Sequence, residues 1–278
     1  MKYALCIGIN DYPGVENDLS GCVNDAYDWM GILKQSGYSI YNVLTNQSAT
    51  KENILKCIRI LVEKAKSGDS IFVQFSGHGT FVPDEDGDEP DGVDECWCPH
   101  DIMLNGPIID DEIFDLASKK ENGVKFILLS DSCHSGTIMR FASFIPLQKP
   151  NPFIRKARFI PPATFLPIKA LSRLPSHRYN FKQNHNTKLL LNAAFYPNQK
   201  PMLLIAGCQD IEYSYDAWFN NKANGAFSYF AMKKLREVKP KTYGEWFDSI
   251  RSVLPCSQYP QTPNMIGPDD GKDWDIFS

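Results

Sequence analysis

Through the first 135 residues, short apolar runs with polar or glycine-rich tails alternate with apolar stripes at helical spacing. No other feature narrows the fold as far. Residues 3–9 form a nearly continuous apolar run followed by Asn10 and Asp11, as a buried strand ending in a turn would. Residues 23–35 carry Val23, Ala26, Tyr27, Met30 and Leu33 at helical spacing. Residues 39–44 suit a second strand. Thr50 is placed to cap the next helix, whose stripe is Ile54, Leu55, Ile58, Leu61, Val62 and Ala65. A third strand is predicted over 70–75, a helix over 111–118, a fourth strand over 124–129 and a fifth over 202–206. Helices are predicted over 224–236 and 242–254. The alternation implies βαβ units: an α/β fold whose parallel sheet is covered on both faces. In such sheets ligands gather beyond the carboxyl ends of the strands. The strand tails therefore carry the functional interest: Asn10-Asp11, Ser76-Gly77-His78-Gly79 and Ser130-Asp131-Ser132-Cys133.

At 278 residues the chain makes one large domain or two small ones. Its 43% apolar and 22% charged residues are ordinary globular usage, which argues against disorder and fibrous folds. A net charge of −4 gives no steering toward nucleic acid. No apolar run reaches the roughly 20 residues of a membrane span, and the start lacks a secretory signal pattern. The expectation is a soluble cytoplasmic protein with reduced cysteines, since eight are too few for a disulfide scaffold.

Two segments break the alternation. Residues 81–115 hold 13 of the 33 acids and no Lys or Arg; residues 145–200 hold ten Lys/Arg, no acid and eight of the 19 prolines. The second composition predicts an exposed, mobile connection. The domain is accordingly divided into 1–144, a basic Pro-rich linker or insertion over 145–200, and 201–278.

Neighbouring parallel strands would bring His78 and Cys133 to one sheet edge. A free thiol has a pKa of about 8.5, so at neutral pH it needs a base. An imidazole can take its proton and later deliver it to a leaving amine. The backbone N–H groups of Gly79 and Cys133 are candidates for an oxyanion hole. Either tetrapeptide alone says little, because most buried cysteines are inert packing. In this order, both among glycines, they point to a Cys–His dyad. His134 is given a minor role.

These motifs resemble the clan CD cysteine peptidases and, within them, the metacaspases, including the prokaryotic orthocaspases. The resemblance runs from residues 4–10 through 19–26, Ser76-Gly77-His78-Gly79, 86–95 and 107–112 to Asp131-Ser132-Cys133-His134-Ser135-Gly136, with a smaller-subunit-like part at 206–210 and 225–227. It implies a caspase-like α/β/α sandwich with a mostly parallel central sheet, His78 as base and Cys133 as nucleophile. It also implies cleavage of proteins or peptides after Arg or Lys, at a pocket matched by Cys22, Asp25, Ser76 and Asp131. Carboxylates at the bottom of a pocket pair with basic side chains through charge-assisted bonds and reject acidic ones. The linker offers sites for self-processing, among them Lys149, Arg155, Lys156, Arg158, Lys169, Arg173 and Arg178; an upstream activating protease is the other route. Metacaspases are generally monomeric, which implies a monomer. The competing expectation is a catalytically silent caspase-like regulatory module.

Asp84, Asp86, Asp88 and Glu95 resemble EF-hand spacing, but Glu89 stands where the loop needs glycine. Cys96, Cys98 and His100 lack a fourth zinc partner. Many metacaspases bind calcium through four aspartates, and Asp94, Asp110 and Asp111 match three of these. Arg140 stands at the fourth position. It cannot ligate calcium, but it can neutralise the acids. No cofactor is therefore expected to be required; the alternative is weak calcium binding by the three acids with Arg140 turned to solvent.

Overall fold

A computed structural model describes residues 1–85, 87, 92–133, 155–174, 200–209 and 212–278. Six strands form the central sheet: β1 (Lys2–Gly8), β2 (Ser39–Thr45), β3 (Ser70–Ser76), β7 (Lys125–Asp131), β9 (Leu203–Ala206) and β12 (Asn264–Ile266). Their order is β12-β9-β7-β3-β1-β2, parallel except for β12. Alternate residues of each strand enter two cores, as the two-residue period of a strand requires. On one face Leu5, Ile7, Val73, Phe75, Phe126 and Leu128 pack under α2 (Lys51–Lys64) and α4 (Asp110–Ser118). On the other, Ala4, Cys6, Phe72, Ile127, Leu129 and Ile205 pack under α1 (Cys22–Gln35), α6 (Ala226–Val238) and α7 (Tyr243–Arg251). The result is the α/β/α sandwich that the periodicity and the resemblance imply. Thr50 caps α2, its side chain accepting from the Asn53 N–H at 3.2 Å.

Two small antiparallel sheets flank the carboxyl ends of the central strands. One joins β4 (Gly79–Pro83), β5 (Val93–Trp97) and β6 (Ile108–Ile109); a short helical turn, α3 (Ile102–Asn105), precedes β6. The other joins β8 (Lys156–Ala157), β10 (Tyr215–Phe219) and β11 (Lys222–Gly225). Asn224 and Gly225, expected in a helix, belong to β11 because their polar groups are drawn across to Asp25 on α1.

Within the connection expected to be exposed over 145–200, residues 156–160 are drawn into the fold, whereas most of 161–173 is exposed. Arg158 and Ile160 are 0% and 1% exposed, and the segment runs through the cleft between the flanking sheets before a short α5 (Ile168–Leu171). Pairing with Ser214, Gly79 and Thr80 satisfies the backbone of residues 158–160, a buried stretch that composition did not mark. Among the described residues no helix is long and apolar enough to cross a membrane.

Candidate active site

Register puts the last residues of β1, β3 and β7 side by side: Gly8 opposite Ser76, and Ser76 opposite Asp131. The two tails beyond them carry His78 and Cys133, which thus reach the same sheet edge. Both are buried. The His78 N–H donates to the Tyr12 hydroxyl at 2.9 Å, and that hydroxyl donates to the Cys98 carbonyl at 3.0 Å. The Tyr12 ring lies 4.7 Å from the imidazole. His78 Nε2 is 2.6 Å from the Asn17 carbonyl, an acceptor, so Nε2 carries a proton. Nδ1 is then the basic nitrogen, and it has no hydrogen-bond partner among the described residues. Burial pushes the imidazole pKa down to about 3; the hydrogen bond to the Asn17 carbonyl opposes this, while the charges of Lys156 and Arg158 add to it. His78 is neutral at physiological pH.

The Cys133 thiol sits at Ser214, 3.0 Å from its N–H and 3.4 Å from its carbonyl oxygen. The dyad members share an edge, but in this state they are not hydrogen-bonded to each other. Gly79 is required here. A Cβ at that position would lie 1.6 Å from the Cys133 carbonyl oxygen, so only glycine allows the two tails this approach.

Beside the tails lies a sealed acidic pocket, and Arg158 fills it. Its Nη2 is 2.8 Å from Asp25 Oδ2 and 3.1 Å from Asp216 Oδ1; its Nη1 is 3.2 Å from Asp131 Oδ2 and donates to the Asp131 carbonyl at 2.9 Å. Each carboxylate is also held by neutral donors. Asp25 accepts from Asn224 Nδ2 at 2.8 Å and the Gly225 N–H at 3.0 Å; Asp131 accepts from the Ser228 N–H at 2.9 Å and from the Ser214 hydroxyl. Asp216 accepts from the Ser20 and Gly21 N–H groups at 2.9 and 3.0 Å. A Cβ on Gly225 would sit 2.1 Å from Asp131 Oδ2 and 2.5 Å from Arg158 Nη1. Burial raises the Asp25 carboxyl to about 7, against the lowering effect of Arg158. Burial also works against the guanidinium charge, but the charges of Asp131, Asp25 and Asp216 more than offset it.

Of the four pocket positions read from the sequence, Asp25 and Asp131 touch the guanidinium. Cys22 is buried among the same charges, with its thiol pushed up by burial. The Ser76 hydroxyl is taken by Gln74 Nε2 at 2.8 Å. Asp216 was not foreseen. It stands in Tyr215-Asp216-Ala217-Trp218-Phe219, a short run with no signal that its carboxylate turns back onto the loop before α1.

The backbone of Arg158 completes the picture. Its carbonyl accepts from the Gly79 N–H at 3.0 Å and the Cys133 N–H at 3.3 Å, the two donors expected of an oxyanion hole. Its N–H donates to the Ser214 carbonyl at 2.9 Å, and the Ile160 N–H donates to the Gly79 carbonyl at 3.1 Å. Residues 156–157 pair antiparallel with β10. The chain therefore crosses the cleft extended, with one peptide carbonyl held at the two tails.

Asp94 lies on β5, two residues from Cys96, and Cys96 pairs with Ile109 just before Asp110 and Asp111. The charges of Asp110 and Asp94 reinforce burial in raising the Cys96 thiol. Among the described residues no three His, Cys, Asp or Glu side chains form a group able to hold a metal ion. His134, Asp86, Asp88, Glu89 and Arg140 lie outside the described residues, as do Lys149 and Arg178.

Residues 2–142 match the metacaspase, peptidase C14 domain. Metacaspase-1 of Meyerozyma guilliermondii is 31% identical over 95% of this chain and 68% of its own length. A crystal structure of a Geobacter sulfurreducens protein, 28% identical, covers 95% of this chain and 92% of its own, with a TM-score of 0.66. Caspase-1 of Spodoptera frugiperda shares the fold at 13% identity and a TM-score of 0.55, over 96% of this chain and 86% of its own.

Proposed function

The chain belongs to the metacaspases, a family of cysteine-type peptidases that act on proteins, and we propose that it is an endopeptidase that cuts after Arg or Lys using Cys133 and His78. The observation that carries this is Arg158, whose side chain fills an acidic pocket while its carbonyl faces the Gly79 and Cys133 N–H groups. A basic side chain so held presents the carbonyl that follows it to the thiol.

In this reading the thiol turns from Ser214 toward His78 Nδ1, which takes its proton. The thiolate adds to the carbonyl carbon, and the developing oxyanion takes the two N–H bonds. As the C–N bond breaks, Nδ1–H passes its proton to the leaving amine. Water, deprotonated by the same nitrogen, then hydrolyses the thioester. The first substrate is the chain itself, at the bond between Arg158 and Phe159. Calcium has no step in this scheme; the chain has Arg140, not a fourth acid, at the position that the resemblance gives to a calcium ligand.

The test compares a peptide ending in Arg at the cut with the same peptide ending in Asp, together with an arginyl-ketone probe. Turnover confined to the Arg peptide, with Cys133 labelled, is the expected result. Equal turnover of both, or no labelling, overturns it. Calcium added to chelator-treated enzyme should change the rate little. Strong activation at micromolar calcium would exclude the built-in cation, and Arg140→Asp should create a calcium response.

A further inference from the structure

Resting on the reading that residues 155–160 lie as a substrate lies, we infer that the cleft recognises more than the basic residue. It selects an arginine three residues before that basic residue and two large apolar residues directly after the cut. The chain occupies a seat at each of these positions. Before the bond, the Arg155 guanidinium lies 4.6 Å over the Tyr215 ring, and its Nη1 donates to the Gln258 carbonyl. Such a cation over an aromatic face is favoured by the ring quadrupole, modestly so at an exposed position. Lys156 Nζ donates to the Asp18 carbonyl at 2.6 Å and to that of Glu16. These are backbone acceptors, which any long donor can use. Ala157 brings only a methyl group, so its position carries little selection.

After the bond the seats are apolar, half-buried for Phe159 and closed for Ile160. The Phe159 ring stacks on Phe81 with centroids 6.0 Å apart and meets Tyr213 edge-on at 6.4 Å. Ile160 is 1% exposed within the core under β1 and β3, and its carbonyl accepts from the Thr80 hydroxyl at 2.7 Å. Phe81 itself is backed by Val93, Leu171 and Leu174. Polar or small residues after the cut would leave this apolar surface unfilled. A side chain that fills or fails an apolar pocket changes specificity by roughly 10–200-fold. The side after the bond should therefore discriminate more strongly than Arg155 does.

The experiment follows self-cleavage of the full chain, pulse-labelled during cell-free synthesis and resolved into fragments ending at and beginning after residue 158. Phe159→Asp should slow the cut about tenfold or more, and Phe159→Leu should restore most of the rate. Arg155→Ala should slow it about threefold. Ala157→Gln should be cut at the wild-type rate, and Arg158→Asp not at all. In a second arm, the processed enzyme digests a denatured proteome, and Phe, Tyr and Ile should be enriched directly after its cut sites. If Arg158→Asp is uncut while Phe159→Asp and Arg155→Ala are cut at the wild-type rate, and the digest shows no preference after the cut, the extended recognition is wrong and the basic specificity stands. Cutting of Arg158→Asp after residue 158 overturns the basic specificity and this inference with it; no cutting of the wild type overturns the reading of residues 155–160 as a bound substrate, and this inference with it.

Discussion

Two side chains carry the chemistry in the proposed mechanism, and their surroundings give them separate tasks. His78 is locked by Asn17 at Nε2, so only Nδ1 can act as a base. Cys133→Ala should abolish cleavage of an Arg peptide while melting like the wild type. His78→Ala should cost roughly 10²–10⁴-fold, as loss of a general acid–base group does. Single-turnover assays read both, and wild-type turnover by Cys133→Ala would sink the mechanism. Asp216 is the residue whose role came from the structure alone. Asp216→Asn keeps an oxygen for the Gly21 N–H but loses the charge facing the guanidinium. We expect kcat/KM for Arg peptides to fall at least about tenfold, and the melting temperature of the uncut chain to fall as well, since the same carboxylate is a partner of buried Arg158 and a hydrogen bond to a charged group is worth about 1.5–3 kcal/mol. The raised Asp25 carboxyl adds a pH signature. Protonated Asp25 offers no charge to a basic side chain, so kcat/KM should drop as pH falls through about 7. An acid limb in the ordinary carboxylate range instead would show that Asp25 is not the titrating group.

At the scale of elements, the segment over 155–160 behaves as a strand of the smaller sheet and as a cation plug for the pocket. Arg158 faces three buried carboxylates, and removing one partner of such a network typically costs about 3–5 kcal/mol. Arg158→Ala should therefore lower the melting temperature, and the loss should depend on pH in a definite direction. The Asp25 carboxyl already stands above its unfolded value because burial disfavours its charge, and removing the guanidinium takes away the charge that holds it down. Such a group contributes stability below the unfolded pKa and loses it as pH rises through the folded one. Asp25 already stands at about 7 with Arg158 present, so the deficit should be larger at pH 8 than at pH 5. A deficit equal at both values would mean that the carboxylates are solvated once the plug is gone. Thermal melts of the Cys133→Ala background, with and without Arg158→Ala, make the comparison free of cleavage.

For the whole molecule, the parts before and after Arg158 are not separate bodies. β9 lies between β7 and β12, β10 sends Asp216 to the loop before α1, and α6 packs with α1 on one face of the sheet. Cleavage after Arg158 cuts one strand-like segment and leaves these contacts whole. The two fragments should migrate as two bands under denaturing conditions and as a single particle of one chain's mass by gel filtration. Separation into two particles without denaturant would contradict the shared core.

Much of this was legible in the chain because it depends on local spacing. The period of the apolar residues determined the strands and helices of the central layer. The tails Ser76-Gly77-His78-Gly79 and Asp131-Ser132-Cys133 marked the sheet edge, since parallel strands end together. What the spacing could not carry were choices made by partners far along the chain. Asn224 leaves helical backbone for Asp25, 199 residues away. Asp216 reaches Ser20 across 196 residues. Composition marked 145–200 as exposed, yet Arg158 within it is buried because three carboxylates from α1, β7 and β10 replace the water it gives up. Whether a charge is buried depends on the counter-charges that meet it, and only the tertiary structure brings those together.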